Sequence, residues 1–301
     1  MQHIDQVSSK FEKLQEHACN IIEKSDGSGT FTKDSWQKDI GKGITRVITN
    51  GDKISKGAVN FSRVSGPLSK EMSKSLGIKG EHFMATGLSS IFHAINPFVP
   101  TIHMNVRYFR LDNGTEWFGG GIDLTPIYVD VEQAKNFHLR LKNICDKYDS
   151  SFYPYFKKWA DDYFFSKHRN ETRGVGGIFF DRQKPSKTFD FEKWMNFTAN
   201  LAEAYPEIYT KMLAKNARKP YTEKNIFWQK IRWAKYAEFN LLFDRGTRFG
   251  IESGGNTESI LISLPPEVRW EYNYSPAKGS KEEQTQQLLK KNIDWINLRQ
   301  T

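Results

Sequence analysis

Apolar residues recur with a helical period near the N-terminus of the chain. About every third or fourth position is apolar, at Ile4, Val7, Phe11, Leu14, Ala18, Ile21 and Ile22. This spacing predicts a helix over Ile4–Glu23, within an N-terminal segment of residues 1–24. The glycines of Ser25–Thr30 then end the pattern.

Strict alternation of apolar and polar residues follows, which is typical of β-strands. Ile44–Ile48 and Val59–Val64 both alternate, and Asn50–Gly51 lies between them. We predict that they pair as antiparallel strands joined across this turn. His82–Phe92 is apolar and continuous, so that periodicity leaves helix and buried strand open.

A second hairpin is predicted further along the chain. Ile102–Leu111 alternates, Asp112–Thr115 has the composition of a turn, and Glu116–Asp123 returns as a strand. The alternation places His103, Asn105 and Arg107 on one face of the first strand.

The C-terminal half mixes helical and strand-like segments. The predicted helices are Val131–Tyr148, Tyr153–Lys167, Phe189–Ala214, Ile226–Ala234 and Lys281–Ile296. The predicted strands are Gly176–Asp181, Phe239–Phe243, Ser259–Leu264 and Val268–Tyr274. Because strands cluster in runs with helices between them, we predict an α+β fold rich in antiparallel pairing. With no repeat and no long linker, residues 1–301 are expected to form a single domain.

Composition narrows the classes of protein. Of 301 residues, 38% are hydrophobic and 14% aromatic, which excludes an unfolded chain. No run approaches the ~18 apolar residues of a membrane helix. The N-terminus resembles neither a signal peptide nor a transit peptide, and the two cysteines, Cys19 and Cys145, are too few for a disulfide framework or a cysteine zinc site. We therefore expect a cytoplasmic protein.

The net charge of +9 favours anionic partners, either nucleic acid or an acidic metabolite. Part of this excess is explained by lysines on solvated helix faces.

The stripe formed by His103, Asn105 and Arg107 is the first candidate site. A guanidinium fits a carboxylate, an amide both donates and accepts, and an imidazole exchanges protons near neutral pH. The alternative is the solvated face of an edge strand.

Asp123 is the second candidate, because it follows three consecutive glycines in Phe118–Pro126 (FGGGIDLTP). Glycines permit a sharp bend or close approach to a flat ligand. The motif is no phosphate loop, since neither dinucleotide nor Walker patterns occur. Asp123 is thus either a carboxylate at the floor of a pocket or a turn cap before Pro126.

Four histidines were considered as metal ligands: His93, His103, His138 and His168. No two of them have the i, i+4 spacing of a helical metal motif, so we favour no metal site.

Long segments of the chain, from about residue 25 to 296, resemble the oxygen-dependent coproporphyrinogen III oxidases. They include DSWQ at 34, AVNFSRVSG at 58, HAINPFVPTIHMNVRYF at 93, WFGGGIDLTP at 117, YPYFKKWADDYFFSKHRNETRGVGGIFFD from 153, YAEFNLLFDRGTRFG at 236 and TESILISLPPEVRWEYNY at 257. The resemblance implies a large antiparallel sheet flanked by helices on both sides. It also implies a homodimer, with about residues 236–271 as the dimerisation region.

The reaction implied by the resemblance converts two propionates of coproporphyrinogen III to vinyl groups. O2 is the oxidant, the macrocyclic product is protoporphyrinogen IX, and CO2 and H2O2 are released. Neither a metal nor an organic cofactor is expected.

The resemblance also implies site residues. It places substrate contacts at Ser89 and along Asn105–Arg107, including Val106, and a proton donor at His103. Further functional positions are Asp123, His138, His168 and Arg173.

A further substrate contact is implied at Gly254, Gly255 and the next residue. There the family usually has arginine, whereas this chain has Asn256, and we consider Arg245 or Arg248 as replacements.

We interpret these residues as a site for a tetrapyrrole with four carboxylates. Asp123 would accept hydrogen bonds from pyrrole N–H groups and assist their deprotonation, Arg107 would hold the reacting propionate, and His103 would relay a proton. Two other classes of function remain as alternatives: a non-catalytic tetrapyrrole carrier and a basic nucleic-acid-binding protein. No recognised nucleic-acid motif supports the latter, so we expect no nucleic-acid partner.

Overall fold

One seven-stranded antiparallel sheet organises the fold. The computed structural model describes residues 2–70, 73, 74, 77–252 and 254–298; the other residues of the expected 1–301 domain lie outside the described part. The strands of the large sheet are β1 (Thr32–Lys38), β2 (Gly41–Thr49), β3 (Ile54–Pro67), β4 (His82–Ala94), β5 (Thr101–Leu111), β6 (Glu116–Thr125) and β9 (Gly176–Gln183). A separate two-stranded sheet is formed by β7 (Phe165–Ser166) and β8 (Glu171–Thr172). Neighbours along the chain are neighbours in the large sheet, and all of its pairs are antiparallel.

Helices lie on both sides of this sheet. They are α1 (Gln2–Asp26), α2 (Val131–Asp146), α3 (Phe152–Tyr163), α4 (Phe191–Asn216), α5 (Glu223–Leu242), α6 (Arg245–Glu252), α7 (Thr257–Leu261) and α8 (Lys281–Leu288). The predicted α+β class with a helix-flanked antiparallel sheet is confirmed. Within the described residues, no helix combines the length and apolarity needed to cross a membrane.

The core face of the sheet is the face that carries Ile102, Met104, Val106 and Tyr108, which are all fully buried. It packs against α1, α2 and α4 in one continuous hydrophobic cluster. Burying so much apolar surface is the main stabilising contribution to the fold.

The open face is the opposite face, which carries His103, Asn105 and Arg107. Helix α5 covers one part of it, where Tyr236 packs against Ile91 of β4. Helix α6 covers another part, where the Phe249 ring lies 6.2 Å from that of Phe83. Between these contacts the middle strands remain half-exposed.

The end of α1 is fixed by Asp26, which is fully buried. Its carboxylate accepts hydrogen bonds from the backbone N–H groups of Gly29, Asp52, Lys53 and Ile54, at 2.8–2.9 Å. One side chain thereby joins the helix end to the β2–β3 turn. The predicted N-terminal helix is observed, and it runs three residues beyond Glu23.

Most of the strand predictions in the first half hold. The two predicted hairpins are present, and the ambiguous segment His82–Phe92 is strand β4. Strand β1 was not predicted, because most of its side chains are exposed and it carries no alternating pattern.

Three predicted strands in the C-terminal third are wrong. Phe239–Phe243 is the last turn and cap of α5, where Phe239 packs against Phe164 and Phe179. Ser259–Leu264 starts within α7 and continues as turns. Val268–Tyr274 forms no regular element. Short apolar runs suit either a strand or one buried side of a helix, and here helical packing prevails.

The predicted helix Lys281–Ile296 is also too long. Helix α8 ends at Leu288. The next residue, Leu289, is fully buried, and its carbonyl accepts from the backbone N–H of Thr172 in β8.

Candidate active site

Polar side chains occupy the middle of the open face, as the alternation predicts. In the β4–β5 register, Ser89 pairs with Asn105, Ile91 with His103 and Gly87 with Arg107. The side chains of His103 and Arg107 are 23% and 34% exposed, in contrast to the fully buried Met104 and Val106. Since these strands are central, the edge-strand alternative is excluded. Because His103 and Arg107 are partly exposed, a ligand can reach this part of the sheet.

Asp123 lies next to His103, across the β5–β6 pair. The imidazole Nδ1 and the Asp123 Oδ1 are 3.0 Å apart, within hydrogen-bond distance. Asp123 is only 2% exposed, so the half-exposed imidazole separates the carboxylate from solvent. The two residues form an acid–base pair whose imidazole is partly exposed on the open face.

Arg173 is the charged partner of Asp123. Its Nη2 donates to Oδ1 at 2.6 Å, and its Nη1 donates to the side-chain oxygen of Asn240 at 2.8 Å. The guanidinium lies among three aromatic rings, those of Phe164, Tyr236 and Phe239, with Cζ 4.3–4.8 Å from the ring centroids. Arg173 is 1% exposed, which suits a residue that acts through Asp123.

This surrounding keeps Asp123 ionised. Burial by itself would raise the pKa of the carboxyl group, but the charge of Arg173 and the hydrogen bonds from His103 and Arg173 outweigh it, so that the pKa lies below its ordinary value. Both bonds are accepted by Oδ1, and neither uses Oδ2.

Arg107 is held by two neighbours on the open face. Its Nη1 donates to Oδ1 of Asn105 at 3.0 Å, and its Nη2 donates to Oδ1 of Asp181 at 2.9 Å. Asp181 belongs to β9, on the far side of β6. The expected carboxylate-binding arginine is thus already oriented by an amide and a carboxylate.

The three glycines of β6 leave room for atoms of the neighbouring strands. A Cβ on Gly119 would lie 2.6 Å from Oδ1 of Asp181, and one on Gly120 would lie 2.7 Å from the carbonyl oxygen of Asn105. One on Gly121 would lie 2.8 Å from a backbone oxygen of β9. Close packing between β5 and β9 requires these glycines.

Two of the histidines are buried among protein partners. The ring nitrogens of His93 bond to Ser263 and Thr101, and those of His138 bond to Tyr153 and Val175, at 3.0–3.2 Å. Burial lowers the pKa of each to about 3, so both are neutral near pH 7.

His168 lies on the surface beside Glu238 of α5, with its Nε2 3.1 Å from Oε2. Within the described ranges, the one group of three residues close enough to share a cation is Glu81, His82 and Asp112. None of the four histidines considered from the sequence belongs to it.

The remaining expected substrate contacts, at Val106 and at Gly254–Asn256, lie in different parts of the structure. The Val106 side chain points to the core face, so only its backbone can serve the open face. Gly254 and Asn256 flank Gly255, whose carbonyl accepts from Lys38 of β1. This segment therefore lies on the β1 side of the sheet, whereas Arg107 is on β5.

Two replacements for the missing arginine were considered at Asn256. Both Arg245 and Arg248 are exposed. The Arg245 guanidinium carbon lies 5.7 Å from the ring centroid of Tyr163, and Arg248 is 3.8 Å from Glu252.

Sequence reasoning missed Asn60, Asp181 and Asn240. Asn60 lies directly opposite Ser89 in the β3–β4 register, so it extends the polar row formed by Ser89 and Asn105. The alternation of Val59–Val64 assigns the Asn60 side chain to one face of the strand, but the sequence does not show that this strand pairs with the strand that carries Ser89. Asp181 and Asn240 meet the site only through folding, and their sequence context gives no signal.

Comparison with known proteins shows the family to which the chain belongs. A family model described as coproporphyrinogen III oxidase matches residues 6–295. The chain is 41% identical to the oxygen-dependent coproporphyrinogen-III oxidase of Prochlorococcus marinus (strain MIT 9312), over 94% of this chain and 90% of the relative. It is 45% identical to the proteins of the same name from Francisella tularensis subsp. mediasiatica (strain FSC147) and subsp. holarctica (strain OSU18), over 96% of this chain and 98% of each relative. The chain belongs to the coproporphyrinogen III oxidase family.

Proposed function

We propose that the open face around His103, Arg107 and Asp123 is the active site at which this chain oxidises coproporphyrinogen III. The chain is an oxygen-dependent coproporphyrinogen III oxidase of haem biosynthesis. The observation that carries the site assignment is the buried, ionised Asp123 joined to a half-exposed His103, on the same face as Arg107.

The reaction of each propionate balances without a cofactor. The side chain R–CH2–CH2–COO⁻, with one O2 and one proton, gives R–CH=CH2, CO2 and H2O2. The bond to the carboxylate breaks, one hydrogen leaves the carbon next to the pyrrole, and O2 takes up two electrons. The protein must therefore hold the carboxylate, control protons and orient the pyrrole.

Arg107 holds the reacting propionate in this proposal. Two of its five N–H groups are donated to Asn105 and Asp181, which leaves donors for a substrate carboxylate. The net charge of +9 attracts a substrate with four carboxylates.

Asp123 and His103 control protons in this proposal. The Asp123 oxygen Oδ2 accepts from pyrrole N–H groups and assists their deprotonation, while Oδ1 remains bonded to Arg173 and His103. His103, at the solvent side of the pair, relays the proton.

The assay is O2 consumption and porphyrin formation with coproporphyrinogen III, with and without air, on metal-stripped protein. We expect Asp123→Asn to lose nearly all turnover while the circular dichroism spectrum is retained, because the amide oxygen can still accept from Arg173. Asp161→Asn is the control for removing the charge of a buried carboxylate, since Asp161 pairs with Lys157 and makes no bond to His103, Arg107 or Arg173. Near-native turnover of Asp123→Asn would remove Asp123 from the mechanism, and substrate binding without O2 consumption by the unaltered chain would indicate a carrier.

Arg107 is tested in the same assay. Arg107→Ala should lower kcat/KM at least about tenfold, since positioning of the propionate is lost. Arg63→Ala is the control, because Arg63 has similar exposure and pairs with Asp5 of α1. An unchanged kcat/KM for Arg107→Ala would rule out the propionate contact.

We also propose a homodimer formed through about residues 236–271. This segment carries several exposed apolar side chains: Leu241, Leu242, Phe243, Ile251 and Trp270. Large exposed apolar patches are typical of interfaces between subunits, and Leu241, Leu242 and Phe243 are adjacent in the sequence. Leu242→Lys should shift sedimentation equilibrium to the monomer, whereas Tyr155→Lys, at a similarly exposed aromatic residue elsewhere, should not. An unchanged dimer in Leu242→Lys, or a monomeric unaltered chain, would contradict the proposal.

A cytoplasmic location completes the proposal. The thiols of Cys19 and Cys145 are free and buried, as is usual for proteins of a reducing compartment. Fractionation of cells that express the chain tests this location.

A further inference from the structure

The guanidinium of Arg107 lies directly over a glycine. A Cβ placed on Gly119 would be 2.9 Å from Nε and 3.0 Å from Cζ of Arg107. Gly119 is the register partner of Arg107 across the β5–β6 pair. The arginine side chain therefore crosses β6 close to its backbone, which only a residue without a side chain permits.

Asp181 receives this side chain on the other side of β6. It accepts from Nη2 at 2.9 Å, while Asn105 accepts from Nη1 on the near side. Asp181 is 22% exposed and Arg107 34%, so the ion pair is open to solvent and adds little to stability. Because the pair adds little to stability, its role is better explained by the orientation that Asp181 gives to Arg107, the proposed substrate-binding group.

We propose that Asp181 and Gly119 are positioning residues for substrate binding: Gly119 leaves room for the Arg107 guanidinium, and Asp181 holds it there for the propionate. This inference rests on the proposed role of Arg107. Without Asp181 the guanidinium keeps only its bond to Asn105, so substrate binding must order it further at an entropic cost. With a methyl group at position 119 it is displaced from β6.

The alternative is that Asp181 competes with the propionate for Arg107. Competition and positioning predict opposite signs: removing a competitor strengthens binding, whereas removing a positioning group weakens it. Asp181→Asn keeps an oxygen for Nη2 but removes the charge, and Asp181→Ala removes both.

The experiment measures Kd for coproporphyrinogen III under anaerobic conditions, together with KM and kcat in air. We expect Asp181→Ala and Gly119→Ala to raise Kd and KM by about tenfold and to change kcat less. Asp181→Asn should stay within about threefold of the unaltered protein, because the hydrogen bond is retained. Gly66→Ala is the control for a glycine within a strand, since its Cβ would have no neighbour closer than 3.8 Å.

A double variant makes the test specific to Arg107. If Asp181 acts through Arg107, Asp181→Ala should have no further effect in the Arg107→Ala background. A lower Kd in Asp181→Asn and Asp181→Ala would show competition and overturn the proposal. So would an undiminished effect in the Arg107→Ala background, or unchanged Kd in both Asp181→Ala and Gly119→Ala. An Arg107→Ala variant with native kcat/KM would instead refute the proposed role of Arg107 itself.

Discussion

Replacing Arg173 by Met removes the buried cation that faces Asp123. The two side chains are 1% and 2% exposed, so the remaining carboxylate has little access to water. Removing one partner of a buried pair typically costs about 3–5 kcal/mol. His103 still donates to Asp123 and Met fills part of the aromatic surroundings, so we expect the lower end, about 3 kcal/mol. For a chain of 301 residues that lowers Tm by roughly 5 °C.

The same change should alter the pH dependence of catalysis. In the native protein the Asp123 pKa is held below its ordinary value, so the stability from the pair is present above that value and is lost as pH falls through the folded pKa. Without Arg173, burial raises the pKa, and the ionised carboxylate is lost at higher pH. The acidic limb of the kcat/KM profile should therefore move to higher pH.

Thermal unfolding, urea unfolding and the pH–rate profile of Arg173→Met test this reasoning together. Arg140→Met is the control, because the Arg140–Glu207 pair is about half exposed and should contribute no more than about 1 kcal/mol. The double variant Asp123→Asn/Arg173→Met should be more stable than Arg173→Met alone, since no buried charge remains unpaired. A loss below about 1 kcal/mol in Arg173→Met, with an unmoved acidic limb, would refute the argument.

Three further predictions concern stability. His93 and His138 have a pKa of about 3 in the folded protein, so the free energy of unfolding should fall as pH drops from 6.5 towards 3, by up to about 1.4 kcal/mol per pH unit for each histidine. The double variant His93→Gln/His138→Gln should flatten this dependence in urea unfolding at pH 4–7. Asp26→Ala deprives four backbone N–H groups of their acceptor and should cost at least about 3 kcal/mol in the same measurement, with Asp26→Asn costing less. Gly177→Ala should abolish soluble expression, because its φ is +157° and its Cβ would lie 2.0 Å from the Ile122 carbonyl oxygen.

The hairpin Ile102–Asp123 could be predicted because each signal in it was independent of the rest of the chain. A turn separated two segments, and strict alternation assigned every side chain to a face. One face of β5 is apolar because it packs on the core. Packing does not explain the polar residues on its other face, which therefore indicate a functional site. For this reason the sequence alone predicts that His103, Asn105 and Arg107 form a polar stripe on one face of β5.

The partners of these residues could not be predicted in the same way. The sequence around Arg173 is typical of a basic, solvent-exposed turn. In the structure Arg173 is buried by aromatic residues of α5, a helix that begins fifty residues later. Asp181 lies at the end of a strand whose pairing with β6 includes a register shift. Such contacts depend on the tertiary arrangement, which local periodicity does not contain.

The errors at Phe239–Phe243 and Ser259–Leu264 have a related cause. Neither segment packs on the main core: Phe239 lies in a separate aromatic cluster with Phe164 and Phe179, and Ser259–Leu264 lies on the open face. Ser259–Leu264 is held to the sheet by side chains that donate to its backbone: Asn60 to the carbonyl of Ser259, and Lys56 to that of Leu264. Hydrogen bonds of this kind impose no repeat on the sequence, so the apolar residues resemble a strand.

The glycines of β6 link fold and chemistry most directly. On a central strand a glycine weakens the sheet, because it adds no side chain to the packing. At Gly119 that space is taken by the Arg107 guanidinium, which passes over β6 to Asp181. The long cationic side chain is thus held against the sheet. In the site proposed above for a broad, flexible macrocycle, this arrangement lets the guanidinium be reached from the open face.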